Sequence, residues 1–132
     1  MRKSILLALA ALCLTACQES LEEKAANEAK MYTMKQCPAQ MGDNLVIDSM
    51  TFHPATHTFC YYYTLKGTLD SVGVLNKENI REVMVRELRN TTSMMAYKEA
   101  GYKFKYTYRS QKNPKNVLLE MLFTKKDYDK QQ

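Results

Sequence analysis

Tyr102, Phe104, Tyr106 and Tyr108 alternate without a break with Lys103, Lys105, Thr107 and Arg109. A period of two, aromatic on one phase and polar or cationic on the other, fits a pleated strand with one buried and one wet face. The segment Thr58 to Lys66 (TFCYYYTLK) has a similar character. There Phe59, Tyr61, Tyr63 and Leu65 share one phase, and Cys60 and Tyr62 share the other. Aromatic and β-branched residues fit such a half-buried sheet better than a helix. The chain must therefore lay something over an aromatic sheet face, and the remaining sequence has to supply it.

Two helices are available for that task. Leu21, Ala25, Ala29 and Tyr32 fall near helical spacing within residues 19–35, with Glu and Lys between them. Cys37-Pro38 ends this helix, because the residue before Pro is biased away from the helical region. A second helix is expected from the cap at Asn76 to about Ala100. Ile80, Val83, Met84, Leu88, Thr91 and Met95 form its core-facing stripe, and Gly101 follows at the position that favours a left-handed residue.

The strands come in pairs. Met41-Gly42-Asp43-Asn44 reads as a turn, and Leu45 to His53 as a strand whose phase slips between Ile47 and Met50. A bulge near Asp48-Ser49 reconciles the two halves. Pro54-Ala55-Thr56 then connects this strand to Thr58–Lys66 as a hairpin. Gln111 to Asn116 turns the chain into a last strand with Val117, Leu119, Met121 and Phe123 on one face. The charged tail from Lys125 is expected to fray. The order α-β-β-α-β-β predicts an α+β fold, a four-stranded antiparallel sheet with the long helix across one face. With 132 residues, 45% of them hydrophobic, one such domain is the size the chain supports, spanning about 31–126 with a tail at 127–132.

The N-terminus points outside the cytoplasm. Arg2 and Lys3 precede the uncharged run Ile5 to Leu14, too short for an ordinary spanning helix, and small residues follow. The junction Leu14-Thr15-Ala16-Cys17 resembles the lipobox of bacterial lipoprotein precursors. That resemblance implies a signal peptide over 1–16, cleavage before Cys17, and a diacylglyceryl group on Cys17 with further acylation such as palmitate. Two or three acyl chains make a stable anchor where one holds only marginally. Residues 17–30 would then form the lipidated tether and the start of the first helix. Gln18 is not the Asp that retains many enterobacterial lipoproteins at the inner membrane, so the resemblance favours the outer membrane. The acidic stretch Glu19, Glu22, Glu23 looks like the export tag of surface lipoproteins and equally suits a helix's first turn, so periplasmic and cell-surface orientations both stay open.

Cleavage removes Arg2 and Lys3, lowering Lys+Arg from 19 to 17 against 14 acidic residues, a net charge of +3. That mild excess suits solubility and gives no clustered basic groove for nucleic acid. Cys37 and Cys60 are the thiols left after processing and lipidation. In an oxidising compartment they are expected to pair as a disulfide, worth roughly 3 kcal/mol by loop closure, against the alternative of two separate thiols.

No pattern requires a cofactor. Gly-x-Ser-x-Gly, His-Glu-x-x-His and phosphate-cradling glycine loops are missing from the sequence. His53 and His57 flank a turn with Cys60 nearby, but a zinc site needs further ligands that the sequence does not indicate. The most promising surface is the open face of the sheet. There Tyr62, Lys103, Lys105, Leu118 and Leu122 share a phase and predict a mixed apolar and basic patch, unless the first helix covers it.

Residues 30–126, with Cys37-Pro38, the Tyr-rich strands and the amphipathic helix, resemble small uncharacterised lipoproteins of Bacteroidetes-type bacteria. Size and anchor also resemble the pilotin lipoproteins, which escort secretin subunits. The expectation is a membrane-anchored, non-enzymatic module that binds an envelope protein or another envelope component. A carbohydrate-binding module with exposed aromatics in a row, or a small hydrolase gathering His53, His57 and carboxylates, is the competing reading.

Overall fold

A computed structural model describes residues 19–71 and 73–129. The expected signal peptide and the expected lipid attachment at Cys17 lie outside the described residues.

Helix α1 spans Leu21–Gln36. The Ser20 side chain accepts from the Glu23 N–H at 3.1 Å, Glu22 and Glu23 occupy the first turn, and Lys35 the last, which complements the helix dipole at both ends. Ala25 and Ala29 are buried, and with so little side chain between backbone and sheet the helix lies close against strand β2. The Thr33 hydroxyl donates to the Met50 carbonyl at 2.7 Å and accepts from the Met50 N–H at 2.9 Å, locking α1 to the outer edge of that strand.

The sheet has five strands in the order β1-β2-β3-β4-β5: Ala39–Gly42, Leu45–His53, Thr58–Leu65, Lys103–Ser110 and Val117–Phe123. All neighbours are antiparallel except β3 and β4, which run parallel in the centre. This corrects the four-stranded antiparallel sheet expected from sequence in two respects. The segment around Met41 is a short edge strand before it is a turn, and its four mostly exposed residues carry no apolar alternation to announce it. The two hairpins are joined through a helical crossover, and a chain that crosses the sheet before re-entering returns in the same direction. The slip between Ile47 and Ser49 in the β2–β3 register is the bulge that the phase change required.

The parallel pair aligns its aromatics face to face. Phe59 stacks on Phe104 with centroids 5.7 Å apart, Tyr61 on Tyr106 at 4.7 Å, and Tyr63 on Tyr108 at 4.7 Å. Phe59, Phe104 and Phe123 are fully buried at the end of this ladder where Tyr97, Tyr102 and Tyr128 close over them.

The expected single helix from Asn76 to about Ala100 is two. Helix α2 spans Lys77–Asn90, with the Asn76 side chain accepting from the Asn79 N–H, and helix α3 spans Met95–Glu99. Thr91-Thr92-Ser93 interrupts them, since short hydroxyl side chains compete for backbone partners. The Thr91 hydroxyl turns back onto the Glu87 carbonyl at 2.7 Å. Lys98 then reaches back from α3, its ammonium donating to the carbonyls of Leu88, Arg89 and Thr91 at 2.7, 3.1 and 2.7 Å. A cation thus satisfies the acceptors that the last turn of α2 leaves open.

The tail does not fray where it was expected to. Helix α4, Lys125–Tyr128, starts at a capping box between Thr124 and Asp127. Tyr128 is buried, its hydroxyl donating to the Tyr102 carbonyl at 2.7 Å. The spacing Thr124-x-x-Asp127 is the sequence signal for this element.

Candidate functional site

Both α1 and α2 lie on the aromatic face of the sheet, and a cleft opens along α2. Alanines are the fully buried residues of α1, and Leu88 is the one buried residue of α2. Leu21 and Tyr32 of α1 and Ile80, Met84 and Val85 of α2 pack against the core, but the tyrosine rows stay partly exposed. The result is a cleft of about 290 Å³ floored by Tyr61, Tyr63, Tyr106 and Tyr108 and walled by Val83, Met84, Glu87, Leu88, Thr91 and Met94. On the α1 side Tyr32 packs against the core, and the Glu28 carboxylate accepts from the Tyr97 hydroxyl at 2.8 Å. Val83 and Met95, expected in the core-facing stripe, are instead each 47% exposed. Val83 stands on the cleft wall.

The floor is uncharged. Burial first, and neighbouring phenols second, push the hydroxyls of Tyr61 and Tyr63 well above their usual ionisation range. Burial and Tyr108 do the same to Tyr106, and burial pushes Tyr108 up to about 12. The Tyr108 hydroxyl lies 3.8 Å from the Met84 sulfur, tying floor to wall. Such a surface offers flat apolar rings with neutral hydroxyl donors, which is the equipment of aromatic anchoring sites at protein interfaces. Sequence reasoning assigned these tyrosines to a covered core.

The open face carries the residues that phase alone selected. Neither helix covers it, because both pack on the other side. Tyr62, Lys103, Lys105 and Leu122 are brought together with His53, Thr56, Thr58 and Cys60 around a shallow depression of about 430 Å³. Leu118, half-buried, shares the face but does not line the depression. Lys105 pairs with Glu120 at 3.5 Å, and Leu122 is 44% exposed.

Cys37 and Cys60 are both free thiols, so the expected bridge is not formed. Alternation is the reason: Cys60 shares its phase with Tyr62 on the open face, whereas Cys37 ends α1 on the aromatic side. Burial raises both thiols, Asp48 adding to it at Cys37. His53 and His57 are likewise separated. His53 lines the open-face depression, while His57 stacks on Tyr102 with centroids 4.6 Å apart and meets Glu22 of α1 at 2.6 Å. The sequence places them four residues apart, but the turn sends them to opposite sides of the sheet. Among the described residues no three His, Cys, Asp or Glu side chains gather around a common point.

A five-stranded mixed sheet with its helices on one face and an aromatic cleft beside α2 defines a small α+β fold. The profile of a domain of unknown function, DUF8479, matches residues 20–119, and the chain belongs to that family. Among solved structures, the fold is similar to that of a Pseudomonas aeruginosa protein described as secreted, with a TM-score of 0.66 at 12% identity over 80% of this chain and 95% of that one. It is similar to the type II secretion system pilotin AspS of Vibrio cholerae, TM-score 0.60 at 18% identity over 81% and 91% of the two chains. It is also similar to EpsS, a pilotin from the Vibrio vulnificus type 2 secretion system, TM-score 0.66 at 13% identity over 84% and 94%. At these identities the likeness is one of fold. A comparison with curated proteins gives no significant match.

Proposed function

We propose that this chain is an envelope-protein interaction module of the pilotin kind, anchored to the outer membrane through Cys17, whose tyrosine cleft takes up an apolar segment of a secretin-type subunit. The observation that carries the reading is the cleft itself: four tyrosines on its floor, with apolar residues of α2 along its wall. The fold shared with two pilotins supports the choice of partner class. Aromatic floors with an apolar wall and a single acidic rim residue, Glu87, suit a peptide segment that buries apolar side chains. No part of this role needs bond-making chemistry, and the separation of His53 from His57 argues against the hydrolase alternative.

The test is copurification of the lipidated chain with the secretin subunit of its own cells, wild type against Val83→Asp. The expected result is a subunit that copurifies with the wild type and is lost with the variant. A subunit retained equally by both, or absent from both, would overturn the reading. Ring stacking on a glycan is the outcome that would favour the carbohydrate-binding alternative.

A further inference from the structure

The depression on the open face differs from the cleft in chemistry. Its polar lining includes the side chains of Lys103, Lys105, Tyr62 and His53, while the hydroxyls of Thr56 and Thr58 bond each other at 2.9 Å. No carboxylate lines it, and the nearest acidic partner, Glu120, is engaged by Lys105 at 3.5 Å. Leu122 adds an exposed apolar side chain at its margin. A group with several acceptor oxygens and negative charge is what such a lining complements.

The position of the depression narrows the source. Glu22, in the first turn of α1, touches His57, and His57 directly follows the Pro54–Thr56 turn whose Thr56 lines the depression. The depression therefore sits at the end of the sheet where the chain enters the domain. Three residues, four chain steps, separate Cys17 from Leu21, so the anchor lies at most about 14 Å from the start of α1. A lipid-held domain on so short a tether keeps this end against the bilayer.

We propose that the depression binds the phosphate of an anionic phospholipid headgroup, docking the open face at the membrane and leaving the tyrosine cleft free on the other side. The proposal rests on the anchored reading of Cys17 but not on the partner of the cleft. Lys103 and Lys105 supply the charge, Tyr62 and His53 polar groups beside them, and Leu122 a shallow apolar contact with the interface.

The experiment uses the full mature chain with Cys17→Ser, so that binding without acyl chains is read. It is mixed with vesicles of phosphatidylcholine alone or containing a third phosphatidylglycerol, and binding is read by cosedimentation. Binding to the anionic vesicles alone is expected. Each lysine at the surface contributes about a fivefold change in partition, so the Lys103→Ala/Lys105→Ala double variant should bind roughly 25-fold more weakly. The Lys112→Ala/Lys115→Ala double variant removes the same charge from the loop at the other end of β4, and its binding should change less than twofold. Equal loss in both double variants would mean diffuse attraction and overturn the site, as would equal binding to the two vesicle types. Val83→Asp should bind vesicles as the parent chain does, so a failure here and a failure of the cleft are distinguishable.

Discussion

The two faces of one sheet, built from the same strands, have opposite fates. On the helix side Phe59, Phe104 and Phe123 are sealed, and the rows above them open into a tyrosine-floored cleft. On the other side the intervening residues of β3, β4 and β5 give Cys60, Tyr62, Lys105, Thr107 and Glu120, a polar surface in which Thr107 and Cys60 are themselves buried among neighbours. Strand alternation decides which residue goes to which face. Cover decides what each face does. Where Tyr97, Tyr102 and Tyr128 close the ladder it is core, and farther along, beside Val83 and Met84 of α2, it opens into the cleft.

The largest test of this contrast is in the sealed end. Phe59 is fully buried and stacks on Phe104, so Phe59→Ala should cost ~3–5 kcal/mol, whereas Lys103→Ala on the open face should stay within about 0.5 kcal/mol. Urea denaturation of the two variants reads the difference directly, and similar losses would erase the distinction between the faces. Next comes the wall of the cleft. Lys98→Met removes the ammonium from three carbonyls at the end of α2 and should destabilise by about 2 kcal/mol, with amide exchange rising first around residues 88–94. Loss spread evenly over the chain would mean that Lys98 is not a local clamp.

Val83→Asp separates binding from folding. Val83 is 47% exposed, so the denaturation midpoint should barely move, while affinity for the partner segment should fall at least tenfold, about 1.4 kcal/mol. A large loss of stability would mean that the wall is core after all.

The smallest effect is in acid. Partial burial pushes the Asp127 carboxyl up, but the Thr124 N–H and the Arg81 guanidinium outweigh it and hold it below the usual carboxylate range. With the folded value below the unfolded one, the stabilisation is complete above pH ~4 and is lost as pH falls through the folded value. Asp127→Asn should flatten the pH dependence of stability below pH ~4 and leave its slope near neutrality unchanged.

Much of this was legible in the residues. The unbroken alternation from Tyr102 to Arg109, the slip at Asp48-Ser49 and the cap at Asn76 each have a local cause, and each leads to the corresponding strand, bulge or helix start. Features set by distant parts of the chain were harder to read. The direction of β4 depends on a crossover 37 residues long, from Lys66 to Tyr102, which returns the chain parallel to β3. The split at Thr91-Thr92-Ser93 is masked by a stripe that continues in phase to Met95, and its clamp, Lys98, reads in sequence as one more surface lysine. Phase alone put Tyr62, Lys103, Lys105 and Leu122 on one face, because uncovered residues obey alternation without needing a partner. The cleft was missed because a tyrosine row has the same sequence signature whether or not a helix lies over it.

The central claim is that the partner meets the tyrosine side of the sheet. Its most direct measurement is photo-crosslinking in the protein's own cells, with a benzophenone amino acid placed at Val83 in one chain and at Tyr62 in another. The account predicts that Val83 yields a discrete adduct with a secretin-type envelope subunit and that Tyr62 yields none with it. An adduct to that subunit from Tyr62 with Val83 silent would put the partner on the open face and contradict the account.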